Sequence, residues 1–448
     1  ILDYLSQPKN IKNKKTASQF LKDVNAINKE VDSGEDLGSR LRQYKYREFS
    51  RIIYRDILSL SPFSDTMEEL SDLASAIVES VVRFFSEELD TKPNGEFVVL
   101  GMGKLGGREL NLSSDIDLIY VYRDNGDPDP FFKLAEKVTR LLSAVTQDGF
   151  LYRVDLALRP GGGKSSVAVP IEGAIEHYFY WGDTWERAAM IKVRPIAGDL
   201  ALGDEFIKEI EPFVYKKFLD YQSIEELKDM KTKLDKLQKK RDVKLGKGGI
   251  REIEFFIQAL QLVNAGEVHS IRERNSILAL NKLRKVNIID ENVFESLTSS
   301  YLFLRKVEHM IQLVDERQTH KIPESSEDIN ILAKRCGLED KDQFEDRYQE
   351  NTSSVSKIYT HLFFDPSQQT EEFGKEFWEL ADFLTSGNIE EAEAVENLGK
   401  LGFRNPESAI DIFSKLLDTR LGGLTQGAKL ITKKVVPAFL GEILKSFD

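Results

Sequence analysis

The chain is nearly without cysteine, and its single Cys336 permits neither an internal disulfide nor a cysteine-rich zinc centre. Redox chemistry is thereby excluded, and Cys336 reads as a buried helix residue. Long apolar runs are missing as well: none approaches the ~20 residues that a bilayer-spanning helix needs, which excludes a membrane-embedded protein. The opening residues, ILDYLSQPKNIKNKKTASQF, lack the basic start, apolar centre and small-residue cleavage site of a secretory signal, so a cytoplasmic location is expected. Positive charge is in deficit. With 62 Lys and Arg against 75 Asp and Glu, the net charge of -13 argues against a surface devoted to DNA or RNA backbone. The five histidines, His177, His269, His309, His320 and His361, have no spacing suited to zinc and read as structural or surface groups. No Gly-x-Ser-x-Gly elbow or nucleophile triad is present.

What is there is ordinary globular composition, 41% hydrophobic and 31% charged over 448 residues. Single cores stop growing at roughly 250 to 300 residues, so two to four domains are expected. Residues 1–92 form a helical leader: LGSRLRQYKYREFSRIIYRDILSL has helical spacing, and TMEELSDLASAIVESVVRFFSEEL repeats it after a Thr-x-x-Glu capping box. A dense turn signal at Thr91-Lys92-Pro93-Asn94-Gly95 then opens an α/β core over 93–215. Its predicted strands are EFVVLGM, DIDLIYVY at 115–122 and FLYRVDLALRP at 150–160, with the helix FFKLAEKVTRLLSAVTQ before the third. Helical spacing returns from Ile171, giving a bundle over 216–365 and a helical extension over 366–448. The expected fold class is α+β, predominantly helical. The first residue is Ile, not Met, which fits a piece of a longer protein.

The informative stretch is LGMGKLGGRELNLSSDIDLIYVY. Gly101, Gly103 and Gly106 match G-x-G-x-x-G, but a strand follows where a dinucleotide site needs a helix to open. Gly163-Lys164-Ser165 fails as a phosphate-binding P-loop, because Leu158 stands where glycine is required. Asp115 and Asp117 are two apart at the mouth of a buried strand, so their carboxylates point the same way and need a cation. Asp155, on the third strand, reaches the same spot if that strand pairs beside the second. Three hard oxygen ligands suit Mg²⁺, with Mn²⁺ the alternative, and make a two-metal site reasonable. Gly103, Gly106 and Gly107 allow backbone to approach a phosphate, and Ser113 and Ser114 supply hydroxyl donors. Basic residues gather around these motifs: Lys104, Arg108, Arg153, Arg159, Lys164, Arg187, Lys192, Arg194, Lys247 and Arg251. Arg159, Lys192 and Arg194 are the strongest of them as anion ligands, since their surroundings are apolar and strand-like. Arg251, Glu254, Gln258 and Gln261 form a polar helical stripe that faces either the site or solvent.

A glycine-rich loop leading to Asp-x-Asp, with a third Asp on a later strand, resembles the DNA polymerase β-like nucleotidyltransferases. GMGKLGGRELNLSSDIDLIY, YRVDLALRP, TWERAAMIKVRPIAGD and KLGKGGIREIEFFIQ, in that order, resemble the bifunctional glutamine synthetase adenylyltransferase/adenylyl-removing enzymes over residues 40–365. RELNLSSDIDL and the helical leader are similar to the N-terminal half of that family. The resemblance implies phosphorolytic removal of AMP from a tyrosine of glutamine synthetase, with Asp115, Asp117 and Asp155 as metal ligands and Gly106, Gly107 and Ser114 near the phosphate. It also implies orthophosphate and ADP, or ATP, as small ligands and the PII signal protein as a regulator, with neither nucleic acid nor membrane as partner. One departure stands out: after Arg159-Pro160 the family usually continues Phe-Gly-acidic, whereas here Gly161-Gly162-Gly163-Lys164 follows. The alternatives are a half that attaches AMP from ATP, and a non-catalytic module that binds nucleotide or a regulator.

Overall fold

The computed structural model describes residues 2–89, 96–124, 126–217, 221–314, 316, 318–362 and positions 395, 396, 399, 405 and 406. The turn at Thr91–Gly95 and the extension over 366–448, those five positions aside, lie outside the described residues. The chain divides into compact units at Ile1–Tyr359 and Thr360–Asp448, and the first carries everything that follows.

The first unit opens with helices α1 (Leu2–Leu5), α2 (Pro8–Lys12), α3 (Ala17–Asn28), α4 (Gly34–Ile57) and α5 (Phe63–Glu88). α3 starts on a capping box in which Thr16 and Gln19 satisfy each other's backbone N–H groups. Strand β1 (Phe97–Gly101), the single turn α6 (Gly103–Gly106), β2 (Ile116–Tyr122), α7 (Asp129–Ser143), β3 (Val154–Asp155), β4 (Ala168–Pro170), α8 (Ile171–Trp181), α9 (Thr184–Met190), β5 (Arg194–Gly198) and α10 (Leu200–Val214) make the α/β part. Helices α11 (Tyr221–Lys236), α12 (Ile250–Asn264), α13 (Ser276–Lys285), α14 (Glu291–Gln312), α15 (Ser326–Arg335) and α16 (Lys341–His361) complete the unit. The fold is α+β and predominantly helical.

The sheet runs β3-β2-β1-β5, with β4 on the same edge of β2 as β3. β1 is antiparallel to β2 and β5, while β3 and β4 run parallel to β2. Every residue of β1 is buried, as its β-branched run requires. Phe97 stacks on Tyr120 at 5.9 Å and on Phe131 at 6.3 Å between ring centres, which pins α7 to the sheet. α5 packs on β5 and α7 as well as on α3 and α4, so the helical leader shares the core of the sheet. Three elements depart from expectation. α5 opens at Phe63 with Pro62 before it, so Thr66 is buried inside the helix instead of capping it. A helical turn does open after β1, although it is only Gly103–Gly106, and the third strand shrinks from the expected 150–160 to Val154–Asp155.

Candidate active site

The glycine loop is shaped by close backbone approaches. Gly103 sits at φ +51°, and a Cβ there would lie 2.6 Å from Asp117 Oδ2. At Gly106 a Cβ would lie 1.9 Å from the Lys192 carbonyl, so only glycine lets the loop rest on the chain entering β5. Met102 N–H donates to the Asp117 carbonyl at 2.9 Å, joining the loop to β2. Farther along, Asn111 N–H donates to Ser114 Oγ at 3.1 Å, and the Ser113 hydroxyl donates to the Glu316 carbonyl.

The carboxylates converge through strand register. Asp115 and Asp117 alternate along β2, and the parallel pairing sets Asp117 opposite Asp155 on β3. Burial, with the negative charges of Asp155 and Asp115 and against that of Lys244, pushes the Asp117 carboxyl up to about 6. Asp115 accepts from Arg153 Nε at 2.9 Å and from the Gln318 amide, while Asp155 Oδ1 accepts from Ala157 N–H at 2.7 Å. Among the described residues no three acidic or histidine side chains are already closed on one point. The donor chemistry nonetheless suits a hard divalent cation, since three carboxylates line one cavity and burial together with like charge raises one of them.

These groups line a cavity of about 290 Å³ with Gly103, Lys104, Ser113, Ser114, Lys192, Lys244, Glu254, Gln258, Gln312, Gln318 and His320. Two of its lysines are held by buried carboxylates. Lys104 Nζ donates to both oxygens of Glu308 at 2.8 and 3.0 Å, and Lys192 Nζ donates to Glu109 at 2.6 Å. Burial lowers Lys104 to about 8 despite Glu308, whereas Glu308 is held well below the usual carboxylate range by Lys104 and Arg305 against its own desolvation. Lys244 has no carboxylate partner among the described residues, which leaves its charge for a ligand.

A family model described as "Glutamate-ammonia ligase adenylyltransferase" matches residues 1–209, and one described as "GlnD PII-uridylyltransferase" matches residues 218–363. The chain is 36% identical over 407 residues to the bifunctional glutamine synthetase adenylyltransferase/adenylyl-removing enzyme of Rhizobium meliloti (strain 1021), covering 84% of this chain and 40% of the relative. It is 33% identical over 428 residues to the enzyme of that name from Nitrosococcus oceani, covering 90% and 44%. It belongs to the glutamine synthetase adenylyltransferase/adenylyl-removing family. The chain spans about two fifths of the length of those two relatives, at 40% and 44%.

Within this family member, the structure gathers Asp115, Asp117, Asp155, Gly103, Lys104, Ser113, Ser114 and Lys192 around one cavity. Four basic residues expected there do not line it, and three of them are otherwise engaged. Arg108 pairs with Asp72 at 2.7 Å and with Glu68 on α5. Arg159 donates to the carbonyls of Leu156, Ser165 and Ser166, closing its own loop. Arg194 donates to the carbonyls of Leu105 and Gly106 at 3.0 and 3.2 Å, which makes it a buttress under the glycine loop. Arg251 lines a separate small pocket beside Glu252 and Tyr359. Gly106 and Gly107 are buried beneath the loop and do not line the cavity.

The polar stripe on α12 divides. Glu254 and Gln258 face the cavity, whereas the Gln261 amide is buried and donates to the carbonyls of Ile271 and Glu273. Arg187 is buried and donates to the Phe213 and Val214 carbonyls, and Lys164 and Lys247 are exposed. Sequence reasoning missed Lys244, Gln312, Gln318 and His320. Lys244 had a signal in KLGKGGIREIEFF, where Lys247 was chosen in its place. His320 was set aside for want of zinc spacing, yet its Nδ1 lies 2.9 Å from Glu308 Oε1 beside the cavity.

Proposed function

We propose that this chain is the half of the enzyme that removes AMP from an adenylylated tyrosine of glutamine synthetase, with orthophosphate as acceptor and ADP as product. The observation that carries the reading is the pairing of Asp117 with Asp155 beside Asp115, in one cavity with a lysine free to hold an anion. A divalent cation held by Asp115, Asp117 and Asp155 supplies charge neutralisation for the attacking and leaving oxygens. The protein's own groups do the rest. Lys244 holds the incoming orthophosphate, and the Gly103 backbone with the Ser114 hydroxyl brackets the phosphoryl group being transferred. Glu308 and Glu109 fix Lys104 and Lys192, so their positive charge is already oriented when substrate arrives. A phosphate oxygen attacks the AMP phosphorus in line, the bond to the tyrosyl oxygen breaks with its electron pair staying on that oxygen, and the oxygen takes up a proton. No covalent enzyme intermediate is needed.

The removal direction rests on the RELNLSSDIDL wording and the helical leader, which resemble the N-terminal half of the family. The second family match, to a PII-uridylyltransferase over 218–363, supports the PII signal protein as a regulator that reads the helices after the α/β part. Isotopically labelled orthophosphate tests the reading. The label is expected in the β-phosphate of ADP; label-free AMP as the product would mean hydrolysis and overturn phosphorolysis.

A further inference from the structure

A second cavity, of about 350 Å³, shares no lining residue with the carboxylate cavity and falls in the range of small-molecule sites. Its floor is aliphatic: Met190, Ile191, Val193, Ile210 and Val214 are all buried there. Its polar wall carries two satisfied ion pairs. Arg272 pairs with Glu211 and lies over the Tyr215 ring at 4.8 Å, and Lys282 pairs with Glu273 at 2.8 Å. Arg274, on the same wall, has no carboxylate partner among the described residues.

Burial lowers Arg194 to about 10, and the like charges of Arg108 and Arg274 add to that fall against the pull of Asp72. The aliphatic floor offers no free ring for a nucleobase, since Tyr215 is already covered by Arg272. Both glutamates already face cations, which disfavours them as partners for the ammonium of an amino acid. We infer that this cavity binds a small aliphatic monocarboxylate, its carboxylate on the Arg274 guanidinium and its chain on the Met190–Val193 floor.

The wall is joined to the glycine loop. Asn275 Nδ2 donates to the Gly107 carbonyl at 3.1 Å, Ser276 N–H donates to Glu109 at 2.7 Å, and Lys192 Nζ donates to Ser276 Oγ at 3.0 Å. An occupant that fixes Arg274 therefore braces the loop and the lysine of the other cavity through two adjacent residues. Nothing in this inference depends on the direction of adenylyl transfer.

Calorimetric titration of the full chain with 4-methylpentanoate tests it. Saturable binding is expected, weakened about tenfold or more for the alcohol 4-methylpentan-1-ol, which lacks the charge, and for acetate, which lacks the tail. Arg274→Met should weaken the acid to the level of the alcohol, and the Asp115→Asn, Asp117→Asn double variant should bind it as the unaltered chain does. Ile207→Phe, which fills the cavity and keeps Arg274, should abolish binding if Arg274→Met proves unfolded by circular dichroism. Hydrogen exchange at Gly107–Glu109 should slow when the acid is bound. Absence of saturable binding, equal affinity for the alcohol, or full binding by Ile207→Phe overturns the site; unchanged exchange in the loop overturns its coupling.

Discussion

At the scale of single residues, the three lysines of the cavity differ in what their removal leaves behind. Lys244 has no carboxylate within ion-pair distance among the described residues, so Lys244→Met breaks no direct ion pair. Steady-state kinetics should show its KM for orthophosphate raised about tenfold to a hundredfold with kcat much less affected, the loss of one charge-assisted contact. Lys104→Met is expected to act on stability, because it removes the bidentate partner of a fully buried Glu308. Arg305 and Asn111 still face Glu308, so urea unfolding should report a loss of about 1 to 3 kcal/mol. Glu252 offers a separate reading of electrostatics, away from the cavity. Burial raises its carboxyl from 4.5 to about 7, with Gln238 Nε2 donating to Oε1 at 2.9 Å. The folded state thus binds the proton more tightly than the unfolded one. The stability this group contributes is full below about 4.5 and is lost as pH rises through about 7. Glu252→Gln does not titrate, so, relative to the unaltered chain, it should gain about 2 kcal/mol of stability between pH 4 and pH 8.

At the scale of elements, what the sequence made legible follows from the range of each signal. The alternation in DIDLIYVY is local, and it placed Asp115 and Asp117 at the mouth of β2 without reference to the rest of the chain. FLYRVDLALRP alternates equally well, yet β3 ends at Asp155 because that side chain accepts from Ala157 N–H and turns the backbone. Arg159 then spends its donors on its own loop, which no periodicity reveals. Lys104 and Glu308 are 204 residues apart, and Gln318 meets Asp115 across 203, so the helical half of the cavity is a tertiary fact. Sequence reasoning accordingly found the side of the site built on the sheet and only part of the side built on α12 and the segment after α14. The glycine loop carries its own prediction. Gly106→Ala would drive a methyl group to 1.9 Å from the Lys192 carbonyl, a backbone atom two residues ahead of β5. A loss of about 3 kcal/mol in chemical denaturation is expected. Arg194 sits under the same turn, which ties the loop to α5 through Ser75.

At the scale of the whole molecule, the sheet, the helices before it and the helices up to α16 make one compact unit over Ile1–Tyr359, and both walls of the carboxylate cavity lie within it. No described helix is long and apolar enough to cross a membrane. The most direct measurement is intact-protein mass spectrometry of adenylylated glutamine synthetase incubated with this chain, Mg²⁺ and orthophosphate. Loss of the AMP mass with ADP appearing is predicted for the unaltered chain, and none of either for the Asp115→Asn, Asp117→Asn variant. Retention of AMP by glutamine synthetase, together with AMP addition when ATP replaces orthophosphate, would contradict the removal assignment.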